Sequence, residues 1–445
     1  MKKLIFPFLL LLSFLVNGQS VPDKLQAYFT AAEKAGIFSG SALVIDKGNV
    51  LLNNGYGYKN VEMNRKNDAN SIFQIGSVTK QFTAAIILKL AEQGKLKLDN
   101  KLSQYFPEFP NAGKITIENL LSHTSGLYNY TNNEEFMQKE VEKSLAREQL
   151  FAMVNNKPLD FNPGEKFSYS NTGYMMLGYI IEKVTGKKYE HVVRENIFIP
   201  LQMSNTGFDF THLDNTNKTV GYDLISGGKG MKAMIVDSTV SFAAGAIYST
   251  VSDLDKWNKS LKTEKIIRKQ SLQNAFTPRL SKYGLGWIID SIEGKKIINH
   301  NGGIHGFISY NTIFPEENSS ITILSNVASA NLQNISKAVI AILNDKAYEL
   351  PKEATEVKVD EKILTQYIGE YELAPAFLIN IKVVDGRLMA QATGQPEFEL
   401  FSKNEKEFYL KVVDAQVEFV RNDKGEVEKL ILHQNGQHIP GIKKK

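Results

Sequence analysis

Four residues, Ser77-Val78-Thr79-Lys80, open an apolar run that continues Gln81-Phe82-Thr83-Ala84-Ala85-Ile86-Ile87-Leu88. In a helix, Ser77 and Lys80 stand one turn apart on the same face. A hydroxyl beside a primary amine can become a nucleophile, because a neutral amine accepts the serine proton. Phe82, Ala85 and Ile86 recur at helical spacing, and Gly94 followed by Lys95 reads as the stop. A helix apolar nearly all round is a buried one. Ser77 would then sit at its positive end, where a developing anion is favoured. A second Ser-x-x-Lys, Ser226 to Lys229, lies in a glycine-rich stretch without helical pattern and reads as chance.

Two further stretches carry chemistry. Tyr169-Ser170-Asn171 falls between the Phe161-Asn162-Pro163-Gly164-Glu165 turn and a helical pattern running to Val184. A phenol at such a junction can pass protons once a cationic neighbour lowers its pKa. Tyr58-Lys59-Asn60 and Tyr130-Thr131-Asn132 share the pattern and read as half-buried tyrosines with capping asparagines. His300-Asn301-Gly302-Gly303 follows the expected strand Lys296 to Asn299, and its glycines permit close approach of a substrate to backbone. An edge N–H there could join that of Ser77 as an oxyanion hole.

The rest of the chain must position these groups. Its 445 residues are 42% hydrophobic and 22% charged, ordinary globular values with room for two or three domains. The net charge of +4 gives no reason to expect a nucleic-acid partner. With no cysteine there are no disulfides, no thiol nucleophile and no cysteine–zinc site. Lys2 and Lys3 before the apolar Leu4 to Val16 predict a signal peptide over residues 1–18, hence export to the periplasm or beyond. No later segment is long and apolar enough to span a bilayer.

An amphipathic helix is predicted over Asp23 to Lys34, then strands Gly40 to Ile45 and Val50 to Gly55 around Asp46-Lys47-Gly48-Asn49. Helical patterns fill Leu98 to Phe161, including the Glu134 to Val154 region. Strands return at Tyr283 to Ile289, Lys296 to Asn299, Phe307 to Phe314 and Ser320 to Asn326, with a helix from Asn331 to Asn344. Strands at both ends with helices between predict an α+β domain, an antiparallel sheet with helices packed on it, over 19–350. Residues 351–360 are polar and charged and read as a linker. From 361 to 445 short alternating runs follow: Phe377 to Val384, Arg387 to Thr393, Phe398 to Leu400, Glu407 to Val412, Val417 to Arg421 and Val427 to Gln434. Asp385-Gly386, Asp423-Lys424-Gly425 and Asn435-Gly436 separate some of them, and they predict a small antiparallel β-barrel.

With their flanks, these segments resemble the serine β-lactamase and penicillin-binding-protein superfamily, which carries a Ser-x-x-Lys and two later motifs. Phe73 to Thr83 resembles the class C β-lactamase-related branch. So do Leu120-Leu121-Ser122-His123-Thr124-Ser125-Gly126-Leu127, Pro163 to Asn171, Ala243-Ala244-Gly245 and Tyr283-Gly284-Leu285-Gly286-Trp287. The resemblance covers about Val21 to Leu350 and implies Ser77 as acyl-forming nucleophile and Lys80 as its neutral-amine partner. It further implies Tyr169 as proton shuttle, an oxyanion hole from the N–H groups of Ser77 and Gly303, Asn171 hydrogen-bonding the substrate or Lys80, and substrate contacts from His300 and Gly302. Many relatives carry Lys-Thr-Gly where this chain has His300-Asn301-Gly302, and a histidine near neutral pH is not a fixed cation. The resemblance therefore points to a peptidase or esterase for D-amino-acid-containing or related small substrates. A β-lactamase, a D-alanyl-D-alanine carboxypeptidase and a non-catalytic receptor acylated by a β-lactam stand as alternatives. The C-terminal barrel resembles lipocalin-like domains of the same branch. No metal or cofactor is expected, His123 reads as a structural loop histidine, and the sequence is silent on oligomeric state.

Overall fold

The computed structural model describes residues 19–445 apart from 227, 353–356, 396, 411–414, 435, 436 and 445. The expected signal segment 1–18, part of the linker, the Asn435-Gly436 turn and the end of the Glu407 to Val412 run lie outside the described residues. Among the described residues no helix is long and apolar enough to cross a membrane.

The first domain is built on a six-stranded antiparallel sheet. Its order is Asn49–Tyr56, Gly40–Asp46, Ser319–Ser325, Phe307–Phe314, Lys295–Ile304, Ile288–Ile292. The two halves of the chain meet where Gly40–Asp46 pairs with Ser319–Ser325, Ala42 opposite Ile323 and Val44 opposite Ile321. Period-two alternation assigns the faces. Ala42, Val44, Ile321 and Ile323 pack under the terminal helices Val21–Lys34 and Leu332–Leu343 through Leu25, Phe29, Ile335 and Val339. Leu43, Ile45 and Leu324 face the other way, into a larger core shared with the helical region. Thr79–Glu92 and Asn171–Thr185 run through that core.

Two sequence expectations change here. The His300-Asn301-Gly302-Gly303 stretch does not follow a strand but lies inside one, Lys295–Ile304, which turns only at His305-Gly306. Pairing with Phe307–Phe314, Gly302 opposite Ser309 and Gly303 opposite Ile308, keeps the glycines extended. The expected strand Tyr283 to Ile289 is instead an irregular loop whose Gly286 has φ +98°, followed by the strand Ile288–Ile292.

The second domain is a closed antiparallel barrel of eight strands, from Gly369–Ala374 to Gln437–Lys443. The sequence reading found six of them and missed these two. Closure joins first to last, Tyr371 opposite Lys443 and Glu372 opposite Ile442, a long-range pairing without local turn chemistry. Among the described residues, apolar side chains cluster in the interior. Tyr367 stacks on Phe419 at 4.0 Å between ring centroids, and Tyr371, Ile381, Leu388, Phe408 and Leu430 fill the remainder. An eight-stranded barrel is just wide enough for side chains to fill.

Candidate active site

Gly76–Val78 form one 3₁₀ turn that leads into the Thr79–Glu92 helix. The helix is buried on every side from Thr79 to Leu88 and is fixed by Trp257, which stacks on Phe82 at 4.5 Å and donates from Nε1 to Gln81 Oε1 at 2.9 Å. Ser77 remains partly exposed at its mouth while Lys80 is fully buried. Gly76 has φ +49°, and a β-carbon there would lie 2.9 Å from both the N and the O of Gly303. Glycine thus lets the Lys295–Ile304 strand pass against the turn that carries the serine.

Lys80 Nζ lies 3.0 Å from Ser77 Oγ, 2.8 Å from Asn171 Oδ1 and 2.8 Å from the carbonyl of Ala244. Asn171 Nδ2 donates to Thr131 Oγ1 at 3.0 Å, which turns its Oδ1 toward the lysine. Burial alone pushes the Lys80 amine well below its ordinary value of 10.5. A neutral amine has two N–H bonds and one lone pair. The two amide oxygens can only accept, so they take the two N–H bonds, and the lone pair faces the Ser77 hydroxyl. That is the arrangement of a base beside its nucleophile.

The Ala244 carbonyl is aimed by an unusual backbone. Phe242, inside Ser238–Gly245, has φ 34° and ψ −131°, a region normally reserved for glycine. Its ring is held in a notch at Gly178, where a β-carbon would come within 2.5 Å of it, and stacks on Tyr179 at 4.8 Å. Beyond this break the Ala243 carbonyl accepts from Thr83 Oγ1 at 2.6 Å and that of Ala244 accepts from Lys80.

Tyr169 sits with its ring centroid 4.8 Å from Lys80 Nζ, just before the Asn171–Thr185 helix. Burial raises its pKa above the usual phenol value, opposed by a hydrogen bond to the Ser77 side chain. This reverses the sequence expectation of a lowered pKa, because burial penalises the phenolate more than its neighbours favour it. Tyr169 therefore stays a phenol at neutral pH.

His300 lies beside Tyr169, ring centroids 6.2 Å apart. Its Nδ1 is 2.6 Å from the carbonyl of Asn301, so Nδ1 carries the proton, and Nε2 accepts from the Tyr283 hydroxyl at 2.9 Å. Burial first, then the Lys80 amine, holds its pKa down to about 3. Both nitrogens expected at the substrate are thus committed within the protein. A depressed histidine pKa stabilises the fold above the ordinary 6.5 and loses that contribution as pH falls toward 3. His300→Asn is accordingly expected to flatten the loss of unfolding free energy between pH 6.5 and 4.5 by about 1 kcal/mol per unit. Urea titrations of both proteins would show it, and parallel curves would refute it.

Gly302 and Gly303 differ sharply. A β-carbon on Gly302 would sit 2.0 Å from the carbonyl oxygen of Ile75 and 2.4 Å from Ser309 Oγ, whereas one on Gly303 meets open space. The two-residue turn makes Ile304 and Phe307 the closing pair of the hairpin. Alternation along an antiparallel ladder then directs the Gly303 N–H to the opposite edge. Ile288–Ile292 covers that edge only as far as Asn299. The sequence reading did not assign roles to Thr131, Ala244 and Tyr283, although it quoted the flanks containing Ala244 and Tyr283.

A mixed domain of this topology, with serine, lysine and phenol gathered at the mouth of one buried helix, has a serine hydrolase fold. The chain belongs to the beta-lactamase family, whose model matches residues 25–342. A domain of unknown function, DUF3471, matches residues 353–441. The chain is 29% identical to Penicillin-binding protein 4* of Bacillus subtilis (strain 168), over 96% of this chain and 100% of that one. Among solved structures, an octameric penicillin-binding protein homologue from Pyrococcus abyssi superposes with TM-score 0.65 at 26% identity, covering 94% of this chain and 99% of the other. A D-stereospecific amidohydrolase from Streptomyces sp. gives TM-score 0.62 at 26% identity, over 73% and 99%.

Proposed function

We propose that the protein is an exported serine hydrolase that cleaves small amides or esters with an uncharged leaving group, D-amino-acid derivatives among them. The observation that carries this is the fully buried Lys80 amine, 3.0 Å from Ser77 Oγ and with its pKa held well below the ordinary value. Ser77 Oγ attacks the carbonyl carbon as its proton passes to Lys80. The N–H groups of Ser77 and Gly303 hold the oxyanion. The C–N or C–O bond breaks as a proton returns to the leaving group through Tyr169, and water then adds to the acyl-enzyme and releases the acid. Neutral His300 offers no cation to a leaving-group carboxylate, which favours amidase or esterase action over carboxypeptidase or β-lactamase action. The likeness to a D-stereospecific amidohydrolase supports D-configured substrates.

D-amino-acid p-nitroanilides, matched anilides bearing a carboxylate on the leaving group and a chromogenic cephalosporin form the test set, with intact-mass detection of the adduct. The neutral anilides are expected to turn over at least tenfold faster, with the acyl mass on Ser77. Faster cleavage of the carboxylate-bearing set would overturn the leaving-group reading. An adduct that never hydrolyses would replace the enzyme with an acylated receptor.

A further inference from the structure

We propose that His123 is a positioning residue that clamps Tyr169 in its proton-relay orientation, an inference resting on the role given to Tyr169 above. Three contacts reach three consecutive residues. The His123 carbonyl accepts the Ser168 N–H at 2.9 Å, its Nδ1 accepts the Ser170 N–H at 3.1 Å, and its ring lies on that of Tyr169 at 4.2 Å between centroids, tilted by 34°. The tyrosine is thereby held from the backbone on either side and across one face.

The histidine is an expensive choice for its place. It follows the short helix Ile117–Leu121 with φ +58°, a left-handed position where glycine or asparagine is the ordinary residue. It is 1% exposed, and its Nε2 has no hydrogen-bond partner among the described residues. Because Nδ1 accepts, the proton of the neutral ring sits on Nε2 as an unpaired N–H, in a ring flanked by Tyr283 and Tyr174 at 4.6 and 5.1 Å between centroids. Buried unpaired donors are rare in folded proteins. Burial, above all, keeps the ring uncharged. With its lone pair already engaged by Ser170, His123 cannot act as a base itself. A helix end alone calls for neither the Nδ1 acceptor nor the ring, whereas holding Tyr169 uses both.

Three replacements separate the contacts. His123→Gly keeps the left-handed turn and the Ser168 bond and removes the other two. His123→Asn also suits that backbone and returns an acceptor oxygen to the Nδ1 position. His123→Phe keeps a ring against Tyr169 without the acceptor. Hydrolysis of D-alanine p-nitroanilide by the full chain is expected to lose at least 30-fold in kcat in His123→Gly, with KM changed less than threefold. His123→Asn should recover most of that loss, and His123→Phe should fall between. The decisive readout is a double-mutant cycle with Tyr169→Phe. If the clamp acts through the phenol, His123→Gly costs less than threefold once the hydroxyl is gone. Equal losses in both backgrounds would overturn the clamp while leaving the role of Tyr169 intact. A Tyr169→Phe protein as active as wild type would overturn the Tyr169 reading, and with it the clamp. Absence of both turnover and adduct in the wild type would remove the hydrolase reading on which each depends.

Discussion

Lys80→Met is expected to lower kcat by about 10⁴, the upper range for removal of a positioned base. Ser77→Ala should lose as much, and the double variant no more than either single one, because the pair acts as a unit. Methionine keeps the length and volume of the lysine stem, so the buried helix stays packed through Phe82 and Trp257. The same substitution also tests the protonation state directly. The folded amine titrates well below 10.5, its ordinary value. Below the depressed pKa both folded and unfolded chains hold the proton, and above 10.5 neither does. Between them the unfolded chain holds more, so stability rises with pH across that window. The unfolding free energy of wild type minus that of Lys80→Met should therefore climb with pH from the depressed folded pKa up to 10.5, at a limiting slope of about 1.4 kcal/mol per unit. A flat difference would mean a charged lysine and would end the general-base argument.

That test is available because the Ser77–Lys80 relation was legible from sequence, and the reason is physical. Residues three apart on a helix are neighbours wherever the helix sits. The apolar texture from Ala84 to Leu88 was equally readable as burial, and burial is what depresses the pKa of the amine. The mixed sheet-and-helix class with a terminal barrel followed from alternation and turn chemistry in the same local way. What sequence could not supply were groups that matter through tertiary placement. The Ala244 carbonyl reaches Lys80 only because Phe242 takes a backbone conformation that phenylalanine ordinarily avoids. Thr131 matters only by turning one amide. His300 was expected at the substrate, but Tyr283, held in an irregular loop, takes one of its nitrogens. Tyr169 inverted its expected pKa shift for the same reason, since how deeply its phenol is buried depends on tertiary packing.

Gly302→Ala is expected to cost about 10²–10³ in kcat, the range for loss of one oxyanion donor, whereas Gly303→Ala should stay within about threefold of wild type. The two glycines are adjacent, and composition does not distinguish them. Their surroundings do. An alanine methyl at 302 would fall 2.0 Å from the Ile75 carbonyl oxygen, a backbone atom. The second close atom, Ser309 Oγ at 2.4 Å, is itself bonded to that same carbonyl at 2.7 Å, so neither partner is free to move aside. The strand must therefore withdraw from the Gly76–Val78 turn and carry the Gly303 N–H away from the carbonyl bound at Ser77. At 303 the methyl meets open space and the backbone is extended, so the N–H remains in place. Misplacement should appear mainly in kcat and should slow acylation, because the donor acts on charge that develops as Ser77 attacks. Single-turnover acylation rates for the two variants measure this, with urea midpoints as a check on folding. Equal rates for Gly302→Ala and Gly303→Ala, or a Gly303→Ala defect as deep as that at 302, would remove the Lys295–Ile304 strand from the oxyanion site.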